Sequence, residues 1–479
     1  MKMIIGGKKV DSFNGKTMNI INPFTQEIID SVPMATKEDV DRALDNAVEG
    51  FKEWSAVPLW RRIDIAYKFV DLWVKNADEL TDYLVRECGK PYKASKREVE
   101  FYTKQFFEEY IEAARFVGGE SIPVGNRINT ENHLITTVRE PLGVFVGFLP
   151  FNYPASQMPH KAMAPLLMGN SVVLKPSSET PLAQIRMVEL FLEAGVPANA
   201  IQIVTGSGSK IGSWLSGDSR VAMVSLTGST KVGIEIAKEA AKHLAHTQLE
   251  LGGNDPLVIL LDCDLDYAVE ESIAGRSLIN AGQACCSTKR FLIPNTLKSE
   301  YLKKLIASVK NKRLGDPASE ATDVGPVISL SKAEEAILNI QHVVEQGATV
   351  LLGGGRNGAF IDVTVMDVPK TADSAKDLEL FAPVFTVIGY DTIDEAIEIA
   401  NQTCYGLSSG VIGTNPKEML YVAKRMQAGA CVINGNGDMR TFSQQFGGYK
   451  MTGIGREGAR ITLEECSQVK TLAFKNMYQ

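Results

Sequence analysis

The chain has 479 residues, room for about three folding units at ordinary domain sizes. Its 44% hydrophobic and 22% charged residues exclude a disordered chain, and a net charge of −7 with no basic tract argues against nucleic acid as a partner. No apolar run approaches the roughly 20 residues of a membrane span, and the apolar part of Met1–Val10 is too short for an export signal, so a cytoplasmic protein with no membrane attachment is expected.

Short strand-like pieces such as Asn19–Asn22 open the chain, and helices follow. Thr36 with Asp39 three residues on has the pattern of a capping box. Val40, Ala43, Leu44, Ala47 and Phe51 then mark one helical face, and Ala66, Phe69, Val70 and Trp73 mark the next. Gly89-Lys90-Pro91 ends that helical region. A polar stretch, Glu120–Glu140, reads as an excursion from the first domain.

Between about residues 140 and 260, apolar runs recur at Gly143–Leu149, Ser171–Leu174, Ala200–Val204, Val221–Leu226 and Pro256–Leu261. Helix-like segments lie between them, among them Ala155–Met168, Pro181–Ala194 and Lys231–His243. Such alternation implies parallel strands joined by crossover helices, and unbroken apolar strands fit a sheet covered on both faces. A domain change is expected near Glu250–Asp255. A second α/β pattern follows, with helices at Ala268–Ile279 and Glu300–Val309 and strands at Phe291–Ile293, Thr349–Leu352 and Val384–Tyr390.

Four pieces carry candidate chemistry. Asn152 follows the first strand, where its amide can donate to an oxyanion or simply serve a turn beside Pro154. Lys175 with Ser177 and Ser178 ends the second strand and suits a ribose or phosphate, or a solvated loop. The glycine sets Gly206/Gly208 and Gly228–Gly233 follow later strands; neither is a G-x-G-x-x-G fingerprint, and Ser229 fits either a pyrophosphate site or a plain helix cap. Gly282-Gln283-Ala284-Cys285-Cys286 offers a thiol that is either packing or a nucleophile, and the glycine-flanked Glu250 offers a general base.

The remaining cysteines are Cys88, Cys263, Cys404, Cys431 and Cys466. They are isolated and suggest no disulfide framework. His243 and His246 are spaced to share a helical face, but no further ligand completes a metal site, and none is expected.

Seven segments together resemble the aldehyde dehydrogenase superfamily: Pro150-Phe151-Asn152, Lys175-Pro176-Ser177, Thr227-Gly228-Ser229-Thr230, Glu250-Leu251-Gly252-Gly253, Gly282-Gln283-x-Cys285, Glu379-Leu380-Phe381-x-Pro383 and Phe446-Gly447-Gly448-x-Lys450. They keep the family's order and span nearly the whole chain. The resemblance implies Cys285 as nucleophile, Asn152 with the Cys285 backbone N–H as oxyanion hole, and Glu250 as deacylating base. For the cofactor it implies Lys175, Ser177 and Ser178 at the adenosine ribose and Gly208 and Ser229 at the adenine side and pyrophosphate. Glu379 and Phe381 would position the nicotinamide ribose and ring. Leu149, Pro150, Phe151, Thr227, Gly228, Val232 and Leu251 complete the expected cofactor surroundings. Ser178 stands where a Glu is common, so NADP is expected to be tolerated beside NAD. Ala382 and Gln445 depart from the usual Gly and Pro.

The implied architecture is α/β: a doubly wound NAD(P)-binding domain (1–119 and 142–250), an α/β catalytic domain (251–443), and segments 120–141 and 444–479 that mediate oligomerisation as a homodimer or homotetramer. The implied reaction is NAD(P)-dependent oxidation of a small, anionic or hydroxylated aldehyde, such as succinate semialdehyde or lactaldehyde, with Arg115, His160 and Arg440 as substrate candidates. A CoA-acylating dehydrogenase and a catalytically silent protein on the same fold are the alternatives. Relatives that acylate CoA typically lack the Glu at position 250, so its presence favours hydrolysis.

Overall fold

The computed structural model of the chain describes residues 1–477. The apolar runs Val144–Phe148 and Ser171–Lys175 are buried at every position, as strands covered on both faces must be. They belong to an eight-stranded sheet in which Val144–Phe148 lies between Ser171–Lys175 and Val221–Thr227, all parallel. Ile201–Ile203 extends the sheet on one side and His246–Glu250 on the other. The chain thus winds outward to Ile201–Ile203, then returns to the opposite flank of Val144–Phe148. This creates a switch point, and a crevice opens there beyond the carboxyl ends of the strands.

The first helix, Lys37–Ser55, begins with the expected reciprocal Thr36/Asp39 capping box and buries Val40, Ala43, Leu44 and Ala47. Helix Leu59–Lys75 buries Ala66, Phe69, Val70 and Trp73, and Phe69 stacks on Phe191 at 3.8 Å between ring centroids. Gly89 closes helix Ala77–Cys88 in the left-handed region, at φ 68°.

The second sheet has seven strands. Asp255–Ile259, Thr288–Pro294, Val384–Tyr390 and Thr364–Asp367 run parallel in that spatial order, with Gly410–Ile412 on the far side of Asp255–Ile259. Its strands meet the site at their amino ends: Gly252–Asn254 precede one, Cys285 another and Glu379–Phe381 a third. The first sheet meets it at carboxyl ends, through Leu149–Asn152, Lys175–Ser178 and Gly228–Ser229. A third sheet pairs Leu134–Pro141 with Ser467–Phe474 over their full lengths and carries Ser121–Ile122 at its edge. No helix among the described residues is long and apolar enough to cross a membrane.

Four features differ from the sequence reading. Residues 256–261 do not extend the first sheet; Asp255–Ile259 opens the second. The strand missing from the first sheet is His246–Glu250, whose polar start hid it. His246 therefore lies in a strand, and helix Thr230–Ala241 ends before His243, so the two histidines share no helical face. The helix expected over Ala155–Met168 begins only at Pro159. Finally, the segment from 444 does not go as one piece to the third sheet. Gly453–Ile454 adds an antiparallel strand to the first sheet beside Leu249 and Glu250, and only Ser467–Phe474 reaches the excursion.

Candidate active site

Cys285 sits in an irregular loop between Leu278–Asn280 and the strand Thr288–Pro294, where no ladder can satisfy the backbone. Buried cations do so instead. Lys289 Nζ donates to the carbonyls of Ala284 (3.1 Å), Cys285 (2.7 Å) and Ser287 (3.2 Å). The Arg276 guanidinium donates to Gly282 O (3.4 Å) and the Ser287 hydroxyl on this loop. It also donates to Leu380 O (2.7 Å), Val384 O (2.7 Å) and Ala382 O on the loop that carries Glu379 and Phe381. One side chain therefore fixes two loops against each other. Gly282, at φ 71°, is required here: a Cβ would lie 2.3 Å from Ala382 O.

The adjacent thiols are unequal. Cys286 donates to Asp438 Oδ1 at 3.1 Å, and its pKa is pushed well above the usual value by the neighbouring Cys285, by burial and by Asp438. The adjacent Cys286 thiol lowers the pKa of Cys285; burial opposes this, and the Lys289 charge adds to it. Of the two, Cys285 is the thiol whose thiolate the surroundings favour.

Asn152 lies across from this loop. Its Nδ2 donates to Gln283 O at 2.8 Å, which uses one amide hydrogen and leaves the other. Its backbone carbonyl accepts from Asn280 Nδ2 (3.0 Å) and from the buried Lys90 Nζ (2.7 Å). Lys90 is itself paired with buried Glu98, which takes the N–H groups of Ala155 and Ser156.

Glu250 ends the strand His246–Glu250. It is buried, and neither carboxylate oxygen has a hydrogen-bond partner among the described residues. Burial, and then the Glu457 charge, push its pKa well above the usual carboxylate range. Gly447 makes room for it: a Cβ there would lie 2.8 Å from Oε1. Glu457 is bound instead by Lys161 Nζ at 2.8 Å, in a fully buried ion pair.

The cofactor candidates gather along the crevice. Leu149 N donates to Lys175 O at 3.0 Å, and Phe151 meets Phe381 edge-on at 6.2 Å. Pro150 and Leu251 are buried, the latter against Gly233. Lys175 is buried with no hydrogen-bond partner for Nζ among the described residues, and burial pulls its pKa down to about 8. Gly208 opens a helix beside it, so close that a Cβ would lie 3.6 Å from Nζ. Ser178 donates to Gly206 O at 3.3 Å, and Ser177 donates to Glu179. Thr227 donates to Gln157 Oε1 at 3.0 Å, and Gly228 N donates to Glu250 O at 3.0 Å. Ser229 caps helix Thr230–Ala241 by accepting from Val232 N at 3.4 Å. Glu379 lies 3.2 Å from Lys289 Nζ and accepts from Gly253 N at 3.4 Å. A buried ammonium without a partner among the described residues, beside the N-terminus of helix Gly208–Ser216, fits an anionic dinucleotide.

The three substrate candidates separate. Arg115 is half-exposed and pairs with Glu112 on its own helix at 3.3 Å, outside the site. His160 is buried 2.6 Å from Tyr110 Oη, and burial depresses its pKa to about 3, so it is neutral and cannot itself pair with an anion. Arg440 does reach the site, stacked over Phe446 at 4.0 Å. Sequence reasoning missed Lys161, Glu457, Arg276, Lys289 and Glu179. Lys161 directly follows His160, and Lys289-Arg290 follows the cysteine pair, but a lone basic residue in an apolar stretch carries no signal of its partner.

The Aldehyde dehydrogenase family model matches residues 10–472. The chain belongs to the aldehyde dehydrogenase family. It is 34% identical over 470 residues to glutarate-semialdehyde dehydrogenase of Pseudomonas putida, covering 98% of this chain and 96% of that one. It is 33% identical over 482 residues to D-glyceraldehyde dehydrogenase (NADP(+)) of Picrophilus torridus, with the same coverage of 98% and 96%. Among solved structures, betaine aldehyde dehydrogenase of Staphylococcus aureus in complex with NAD+ matches at TM-score 0.95 and 33% identity, covering 100% of this chain and 95% of that one.

Because Arg276 satisfies carbonyls on two loops, Arg276→Met strands several of them at about 1–3 kcal/mol each. A melting temperature lowered by several degrees and slower alkylation of Cys285 are expected; melting and alkylation at wild-type values would mean that other contacts hold the loops.

Proposed function

We propose that this aldehyde dehydrogenase oxidises a small, anionic or hydroxylated aldehyde to its carboxylic acid with NAD or NADP, through a thioester on Cys285 that is hydrolysed with Glu250 as general base. The observation that carries the reading is Glu250: a buried carboxylate with two unpartnered oxygens, facing the chamber of a thiol whose pKa is lowered. The names of the two curated relatives, a semialdehyde and a hydroxyaldehyde dehydrogenase, support the substrate class.

The residues divide the work as follows. Cys285 thiolate attacks the aldehyde carbon, and the remaining amide hydrogen of Asn152, with the Cys285 backbone N–H, donates to the oxyanion of the thiohemiacetal. The bound nicotinamide supplies the hydride acceptor. Lys90 and Asn280, which hold the Asn152 backbone, keep that amide aimed while the oxyanion forms and collapses. Glu250 then takes a proton from water, which attacks the thioester and frees the thiol. A carboxylate with a raised pKa is a stronger base once ionised, and its ionised fraction grows as pH rises through that raised value. Deacylation therefore climbs with pH above the ordinary carboxylate range.

Cys285→Ala should abolish oxidation while cofactor still binds, and Cys286→Ala should keep most of it; the reverse pattern would move the nucleophile by one residue. Glu250→Gln should release about one reduced cofactor per site and then stall, with turnover down about 10²- to 10⁴-fold. Unimpaired steady-state turnover would remove Glu250 from deacylation and reopen transfer of the acyl group to CoA.

For the cofactor, the neutral Ser178 leaves space for a 2′-phosphate beside Lys175, but the Glu179 carboxylate, held by Ser177, keeps a negative charge in the same loop. Use of both cofactors follows. Ser178→Glu should lower kcat/KM for NADP about tenfold relative to NAD, and Glu179→Gln should shift the ratio toward NADP. Equal effects on both cofactors would clear the loop of any discriminating role.

The Leu134–Pro141/Ser467–Phe474 sheet exposes Val469, Leu472, Phe474 and Ile122 and supports assembly as a homodimer or homotetramer. Light scattering at micromolar concentration should find no monomer; a monomer would refute it.

A further inference from the structure

We propose that Arg440 is the anchor for a carboxylate at the far end of the aldehyde, so that the enzyme selects semialdehydes of dicarboxylic acids over uncharged aldehydes. The inference rests on the thioester reading above and names the substrate class of that same site.

Three other arginine or lysine side chains in this region are fully employed. Arg276 and Arg290 spend their donors on backbone carbonyls, and Lys161 is paired with Glu457. Arg440 is not employed. Its Nε and Nη2 are buried without a hydrogen-bond partner, and no carboxylate among the described residues lies within ion-pair distance. Arg440 as a whole is half-buried, but two buried donors without partners are costly, and a fold keeps them where something else completes them. Aromatic rings take its faces: Phe446 at 4.0 Å and Phe106 at 5.1 Å from the centroids. Rings on the faces leave the planar edge, with its parallel donors, for a partner in the plane, and a carboxylate is the group that matches such an edge with two hydrogen bonds.

The position is that of the substrate's tail. Asp438, two residues before Arg440, accepts from Cys286, the neighbour of the nucleophile. Phe446 exchanges backbone hydrogen bonds with Glu457 at 2.6 Å, and Gly447 borders Glu250 Oε1. Arg440 thus belongs to the loop that joins the wall holding the thiol to the wall holding the base. Phe106 and Phe442, packed edge to face at 4.8 Å, line the approach with apolar surface suited to a short methylene chain.

The charges facing Arg440 come from four elements. Helix Lys104–Ala114 brings the Tyr110 phenol and the Glu109 carboxylate, which accepts from Ser443 at 2.9 Å and lies beyond ion-pair distance of Arg440, and His160 is neutral. Lys161 and Glu457 cancel. The pKa values of Glu250 and Asp438 are both raised, so neither is held as a carboxylate by an ion pair with Arg440. The two buried guanidinium donors thus remain open to a substrate carboxylate.

The test compares kcat/KM for succinate semialdehyde and glutarate semialdehyde with butanal and pentanal, in wild type, Arg440→Met and Arg440→Lys. Wild type should prefer the carboxylated aldehydes. Arg440→Met should cut the carboxylated-to-uncharged ratio by about 10- to 100-fold, mostly through KM, and Arg440→Lys should recover part of it. Glutarate, tested as a product analogue, should raise the melting temperature of Cys285→Ala but not of the Cys285→Ala/Arg440→Met double variant, a readout independent of turnover. A ratio unchanged by Arg440→Met, or a wild type that prefers the uncharged aldehydes, would overturn the inference and leave the thioester reading standing. No reduced cofactor with any of the four aldehydes would overturn the reading beneath it and the inference with it.

Discussion

The cysteine loop has to be rigid without being a strand or a helix, and its carbonyls must still find donors. Arg276 and Lys289 supply those donors from within the chain, and nearly everything chemical in the structure depends on them. Neither cation is spent on a carboxylate alone; each is spread over several backbone oxygens, so the loop is held at many points by groups that cannot slide. Lys289 adds an electrostatic effect, since the same ammonium that holds the Cys285 carbonyl favours the thiolate. Lys289 therefore contributes to both the position of the Cys285 thiol and its acidity.

The carboxylates of the chamber show the opposite arrangement. Glu457 is buried with a lysine and is an ion-pair partner; Glu250, equally buried, is given none. A carboxylate denied partners costs folding free energy, because its charged form is poorly solvated. The same lack of partners leaves it free to hydrogen-bond water. The neighbouring glycine keeps that space open, and the Glu457 charge raises its proton affinity further while Lys161 opposes it. Stability is given up at the position where reactivity is needed.

Much of this was legible in the sequence, for identifiable reasons. The parallel sheet showed itself because strands buried on both faces are continuous apolar runs, as at Val144–Phe148. The ordered motifs marked Asn152, Glu250 and Cys285 because each sits at or near a strand end, within three residues of a glycine or proline that punctuates the chain. His246–Glu250 escaped because its outer end is polar and only Gln248–Glu250 are buried. Pairings across long sequence separations escaped altogether: Lys161 with Glu457 spans 296 residues, and no local pattern announces such a partner. Arg115 misled because the end of a helix says nothing about which way its side chain faces. Arg440 stood out in the structure for its missing partners, a property that no sequence displays.

The strand Gly453–Ile454 closes the edge of the first sheet against Leu249 and Glu250, and Thr452 O takes the N–H of Leu251. The segment that completes the surroundings of Glu250 is therefore synthesised some two hundred residues after Glu250 itself. Closing that edge joins residues separated by some two hundred positions, a high-contact-order step that local structure cannot accelerate. During synthesis the thiol loop can form before Glu250 has its final strand partner, so a nascent chain can present Cys285 beside an incomplete chamber. Topology thus orders the assembly of the two walls, the thiol side first and the Glu250 side second.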